Sequence, residues 1–115
     1  MATELRVIDE TYELILWTHR HITRFPRHSR FSIDGRLESG FLNLLDKLLE
    51  AKFSKNKLAS LREASLQVEQ IRFLFRLVKD TRLLSFNSHR HAVSCLNSIG
   101  KQLHGWKKQQ QIRNQ

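Results

Sequence analysis

Apolar residues recur at steps of three and four along most of the chain, which is the spacing of one face of an α-helix. In the first segment the repeat runs through Leu5, Ile8, Tyr12, Ile15, His19 and Ile22. Pro26 ends this segment, because the residue before a proline is displaced from the helical region. The pattern predicts a helix over about residues 4–25, with this face turned to the core.

Three more segments carry the same periodicity. They predict helices over about residues 33–53, 57–82 and 87–109, followed by a polar, frayed tail over 110–115. Ser32 is the expected N-cap of the second helix, and Ser85 or Asn87 that of the fourth. Sustained period-two alternation is absent, so no sheet is expected. Four helices of this length with short connections predict a single all-α domain over 1–115, an antiparallel up-down-up-down four-helix bundle.

The third helix is apolar over an arc of about 220°, whereas packing on one core needs little more than ~100°. Either the helix lies deep in the bundle, or a neighbouring subunit covers the surplus. We favour the subunit, and with it a homo-oligomer. Trp17, which lies off the main stripe of the first helix, is added as a possible interface residue. The predicted interface comprises Leu66, Phe73, Leu74, Leu77 and Trp17.

Composition adds a charge argument. The 115 residues are 40% hydrophobic and 27% charged, which is ordinary for a soluble globular protein. Twenty Lys and Arg against eleven Asp and Glu give a net charge of +9. Such an excess favours a polyanionic partner, with nucleic acid ahead of a membrane surface, although it can also serve solubility alone.

Many of the cations are clustered. Arg72, Arg76 and Lys79 form a solvent-facing stripe on the third helix, which either follows phosphates or is an ordinary surface paired with Glu69 and Asp80. Other arginines flank the first and third connections, which lie at the same end of an up-down bundle. The predicted nucleic-acid or partner-binding set is Arg20, Arg24, Arg27, Arg30, Arg36, Arg72, Arg76, Lys79, Arg82 and Arg90.

Catalytic and metal-binding patterns are missing. The single cysteine, Cys95, forms no intrachain disulfide, and the two His-Arg-His triplets place histidines two residues apart, where they do not share a helix face. Trp106 fits the apolar stripe of the fourth helix and is expected in the core. We therefore expect no enzyme, no metal and no cofactor. The lack of a signal pattern or a long apolar run predicts a cytoplasmic protein without membrane contact.

Several stretches together resemble one family. They are Phe25–Ser32 with Arg36-Leu37-Glu38, Leu45–Ala51, Leu77–Ser85 and Ile99–Lys107. In order and spacing they are similar to the four-helix-bundle accessory variability proteins (Avd) of diversity-generating retroelements, a family that includes proteins encoded in ribosomal RNA intervening sequences. The Ser88-His89-Arg90-His91 stretch departs from the family pattern.

The resemblance implies a ring-like basic homopentamer with a central channel. It also implies binding of a reverse transcriptase and of nucleic acid, template RNA or cDNA, in support of mutagenic retrohoming. Two alternatives stay open: an intervening-sequence-type protein without a polymerase partner, and a structural oligomer that binds no nucleic acid.

Overall fold

Four helices account for most of the chain in the computed structural model, which describes residues 3–26 and 33–113. They are α1 (Thr3–Ile22), α2 (Gly35–Phe53), α3 (Lys57–Asp80) and α4 (Phe86–Arg113), and the described residues contain no strand. The prediction of an all-α four-helix bundle is confirmed. The helices form an elongated body of 49 × 24 × 21 Å, in which α1 packs on α2 and α4, and α3 packs on α2 and α4.

Contacts between helices establish the antiparallel order. His19 near the end of α1 lies 3.6 Å from the Glu38 carboxylate near the start of α2. Glu10 in the first half of α1 accepts a hydrogen bond from the side-chain amide of Gln102 in the second half of α4. Because both pairs join early residues of one helix to late residues of another, neighbouring helices run in opposite directions.

The buried face of α1 differs from the predicted one. The side chains that α1 buries are Val7, Thr11, Leu14, Thr18 and Ile22. Of the predicted face, Tyr12 is 52% exposed and His19 is exposed, and Leu5 is 39% exposed. The prediction holds for Ile22, which is buried, and in part for Ile8 and Ile15, which pack against the core, but it was wrong for the other three. The reason is that α1 has two apolar stripes, and the more deeply buried one includes two threonines. Thr11 is accommodated in the core because its hydroxyl donates to the carbonyl of Val7, one turn back, at 2.8 Å.

The other helices bury faces close to those predicted. Leu37, Phe41, Leu44 and Leu48 of α2 are fully buried, whereas Leu49 of the same predicted face is 38% exposed. The rings of Phe41 and Phe75 meet edge to face, with centroids 6.0 Å apart. Trp106 is 1% exposed, so its assignment to the core is confirmed. Burying a Trp or Phe of this kind contributes several kcal/mol to folding.

The helix ends follow recognisable side-chain chemistry. Ser85 Oγ accepts the N–H of Ser88 at 3.1 Å, so Ser85 rather than Asn87 caps α4. The ammonium of Lys57 donates to the carbonyls of Ala51 and Lys52 at 2.7 and 2.9 Å, which satisfies the last turn of α2. The predicted cap Ser32 lies outside the described residues.

The fourth helix is longer than expected. It continues to Arg113 rather than ending near residue 109, and Gln110 is buried. Gln110 follows Leu103 and Trp106 on the same buried stripe, which explains why the polar tail stays helical as far as Arg113.

Candidate nucleic-acid interface

One end of the bundle collects exposed arginines from two helices and two connections. Since α1 ends at Ile22 and α3 ends at Asp80, the first and third connections share this end. We call the exposed arginines of this region, Arg24, Arg36, Arg82 and Arg90, the basic end. None of them forms an ion pair with a carboxylate of the described chain, so their charges are available to a ligand.

The first connection limits how much of the predicted set can be placed. Arg27 and Arg30 lie outside the described residues. Arg24 follows α1 directly, where its N–H donates to the carbonyl of His21 at 3.1 Å. Arg20 is exposed one turn earlier on α1.

Arg82 owes its position to an unusual turn. Its φ is 62°, the only left-handed value of a non-glycine residue in the described chain. The N–H of Arg82 donates to Lys79 at 3.0 Å, and the N–H of Leu83 donates to Val78 at 3.0 Å. This is the Schellman pattern that closes a helix C-terminus, and its left-handed position is usually glycine. An arginine therefore occupies a backbone conformation in which glycine would have a lower conformational free energy.

The α3 stripe divides into a structural and an exposed part. Arg72 donates to the Asn97 amide oxygen at 2.6 Å and to Glu69 at 3.2 Å, and its side chain is only 28% exposed. The prediction of a solvent-facing Arg72 was therefore wrong, because its guanidinium ties α3 to α4. By contrast, Arg76 is 72% exposed and lies 3.9 Å from Asp80.

Lys79 is exposed, as predicted. The half-buried His89 lies near it at the start of α4. Burial, and secondly the charge of Lys79, lower the pKa of His89 below its usual 6.5. His89 is therefore neutral at physiological pH and adds no charge to the basic end.

The residues predicted for a subunit interface do not form one surface. Leu66, Phe73 and Leu77 are exposed on α3, with Leu74 half-buried beside them. Trp17 lies in the groove between α1 and α4, on the other side of the bundle. Its indole stacks on His21 with centroids 3.9 Å apart and contacts His91 at 5.0 Å.

A larger apolar surface was missed. Leu16 of α1 and Leu42 of α2 line one shallow pocket between the two helices. Steps of three, four and seven residues place further exposed apolar side chains on the same face of each helix. These side chains are 37% to 78% exposed. We call this set the α1–α2 strip; its members are Leu5, Tyr12, Leu16, Leu42, Leu49 and Phe53. The first-helix periodicity carried the signal, but it was assigned to the core.

Cys95 packs beside the core with its Sγ 3.6 Å from His91 Nε2. Burial, and secondly Glu10, raise the pKa of its thiol, which disfavours the nucleophilic thiolate. Within the described part of the chain no cluster of three His, Cys, Asp or Glu side chains is placed to hold a metal. No described helix is long and apolar enough to cross a bilayer.

Comparison with known proteins supports the architecture. A solved structure from Bacteroides thetaiotaomicron, described as a protein of unknown function from the S23 ribosomal protein family, superposes with a TM-score of 0.84. The match covers 93% of this chain and 99% of that one at 13% identity, so it shows a shared fold. A search of curated protein sequences gave no significant match. The sequence profile of the bAvd-like family matches residues 6–110, and the chain belongs to the bAvd-like family.

Proposed function

We propose that this protein is a non-catalytic accessory factor that binds nucleic acid through its basic end. The carrying observation is that Arg24, Arg36, Arg82 and Arg90 are exposed at one end of the bundle and form no ion pair with a carboxylate of the described residues. Arginine suits this task because its planar guanidinium bonds phosphate oxygens in pairs. The bAvd-like membership supports the same reading.

The proposed protein partner is a reverse transcriptase of a diversity-generating retroelement. The family membership supports this choice. Co-expression with a reverse transcriptase encoded beside its gene tests it directly. A stable complex that survives size-exclusion chromatography is expected, and separate elution of the two proteins contradicts the proposal.

We further propose that the protein acts as a homo-oligomer. The α1–α2 strip is the surface we assign to a second copy, because two neighbouring helices each expose three large apolar side chains there. Such strips are uncommon on monomers. The pentamer implied by the family resemblance is the expected size, and light scattering measures it.

The basic end can be tested with matched charge reversals. The test variant carries Arg24→Glu, Arg82→Glu and Arg90→Glu. The control carries Lys55→Glu, Lys108→Glu and Arg113→Glu, exposed cations in the other half of the bundle. Both variants lower the net charge equally, so a general charge effect is the same in each.

Fluorescence anisotropy with a structured RNA measures affinity for both variants. We expect the test variant to lose at least tenfold in affinity and the control to lose far less, since each neutralised phosphate contributes to the salt-dependent binding term. Equal losses of affinity in the two variants would mean that binding depends on the net charge of the protein and not on the position of these arginines. Unchanged binding in both would remove nucleic acid as the ligand of this end.

An alternative is association with ribosomal RNA without a polymerase. The S23 ribosomal protein name carried by the structural neighbour's family favours this second candidate. Co-sedimentation with ribosomal subunits, together with failure to bind the reverse transcriptase, would support it over the first proposal.

A further inference from the structure

A groove between α2 and α3 combines features that the basic end lacks. Its volume is about 460 Å³, and its lining includes Arg36, Asn43, Gln67, Gln70 and Phe73. None of the described residues that line it is a carboxylate. The groove therefore offers a cation, three amides and an aromatic ring without a repelling negative charge.

Phe73 is the most unusual of these residues. Its side chain is 67% exposed, although a phenylalanine on a bundle helix would ordinarily contribute to the core. Gln70 precedes it by three residues and lies on the same side of α3. An exposed ring beside amide groups is suited to a flat ligand that stacks on one face and bonds at its edge.

Close helix packing shapes the floor of the groove. A Cβ at Gly40 would lie only 3.2 Å from Cγ1 of Ile71, so a larger residue would force α2 and α3 to adjust. The amides of Asn43, Gln67 and Gln70 form no hydrogen bond with other described residues, which leaves their donors and acceptors available. Unpaired side-chain amides recognise base edges in many complexes.

Arg36 joins the groove to the basic end. It is exposed in the first turn of α2 and belongs to both surfaces. A strand whose phosphates contact the basic end could therefore place one nucleotide in the groove without a break in the path.

We propose that the α2–α3 groove binds one unpaired nucleotide of a single-stranded nucleic acid, with its base stacked on Phe73, its edge bonded by Gln67, Gln70 or Asn43, and its phosphate at Arg36. This inference rests on the proposed nucleic-acid function. It adds to phosphate binding at the basic end a site that binds an unpaired base of a single strand. The amide-rich lining favours nucleic acid over a second copy of the chain, for which the apolar α1–α2 strip is the better match.

The test compares two 12-nucleotide probes, one of oligouridylate and one of the same length and charge that lacks bases. Wild-type protein, Phe73→Leu and Phe73→Tyr are titrated with each probe by fluorescence anisotropy. Leucine keeps apolar volume at this exposed site and removes the ring, whereas tyrosine keeps the ring. Circular dichroism measures whether each variant is folded, and light scattering measures its oligomeric mass.

We expect Phe73→Leu to bind oligouridylate about tenfold more weakly while its affinity for the base-free probe is unchanged, and Phe73→Tyr to restore wild-type affinity. If all three proteins bind both probes equally, the groove does not bind a base and this inference is wrong. The proposed function of the basic end would not be affected by that result. If the wild type binds neither probe nor structured RNA, the proposed function itself fails. If Phe73→Leu instead lowers the oligomeric mass, the groove is occupied by a second copy and the inference is overturned.

Discussion

Replacing Arg82 by glycine should make the protein more stable and a weaker ligand of nucleic acid. At φ 62° the Cβ of Arg82 crowds the following carbonyl, which costs about 1–2 kcal/mol for an L-residue and nothing for glycine. Glycine also has more conformational entropy than arginine in the unfolded chain, which lowers the free energy of unfolding by about 0.5–1 kcal/mol. The expected net gain in the free energy of unfolding is about 0.5–1 kcal/mol.

For a domain of this size, that gain corresponds to a rise in Tm of about 2–5 °C. Thermal denaturation followed by circular dichroism measures it, at one fixed protein concentration because oligomerisation also shifts Tm. Arg82→Ala is the matched control: it removes the same charge but keeps a Cβ in the left-handed region. Its Tm should not rise.

Both variants should bind RNA more weakly than the wild type. The plot of log affinity against log salt should also become less steep, by the amount that corresponds to about one lost phosphate contact. A Tm of Arg82→Gly at or below wild type would refute the strain argument. Wild-type RNA affinity in both variants would refute the role of Arg82 at the basic end, even if the glycine variant is more stable.

Four further changes follow from the same contacts. Arg72→Ala should lower the free energy of unfolding by about 1–2 kcal/mol because it detaches α3 from Asn97. Arg76→Ala, which removes only an exposed contact with Asp80, should lower it by less than about 0.5 kcal/mol, and urea denaturation measures both. Leu42→Asp should reduce the oligomer mass in sedimentation velocity, since it places a charge in the α1–α2 strip. Because burial lowers the pKa of His89, the unfolded chain binds its proton first, so stability should fall as pH drops below 6.5, and less in His89→Gln. Ser85→Ala should cost about 1 kcal/mol, measured by urea denaturation, because it removes the cap of α4.

The helices could be predicted because each segment combines apolar periodicity with a clear break. Pro26 and the polar turn before Lys57 mark ends that the sequence displays directly. The buried face of α1 could not be predicted in this way. Its two stripes differ in that one holds threonines, and hydrophobicity alone favours the stripe with Ile and Tyr. Only the positions of α2 and α4 decide which stripe is covered.

The basic residues show the same limit. Arg72 and Arg76 are one turn apart and look equivalent in the sequence, yet Asn97 of α4 bonds only Arg72. That partner is 25 residues away along the chain, so no local pattern reveals it. The strain at Arg82 is equally hidden, since it depends on the hydrogen bonds that end α3.

The most direct test of the central claim is the affinity of the wild-type protein for a structured RNA and a matching DNA duplex across a salt series. The account predicts sub-micromolar affinity near physiological salt. For the duplex, log affinity should fall against log salt with a slope of about −0.9 for each phosphate neutralised, several in total. Weak binding with a flat salt dependence on both ligands would contradict it. The net charge of +9 would then serve solubility, and the function would lie in protein contacts.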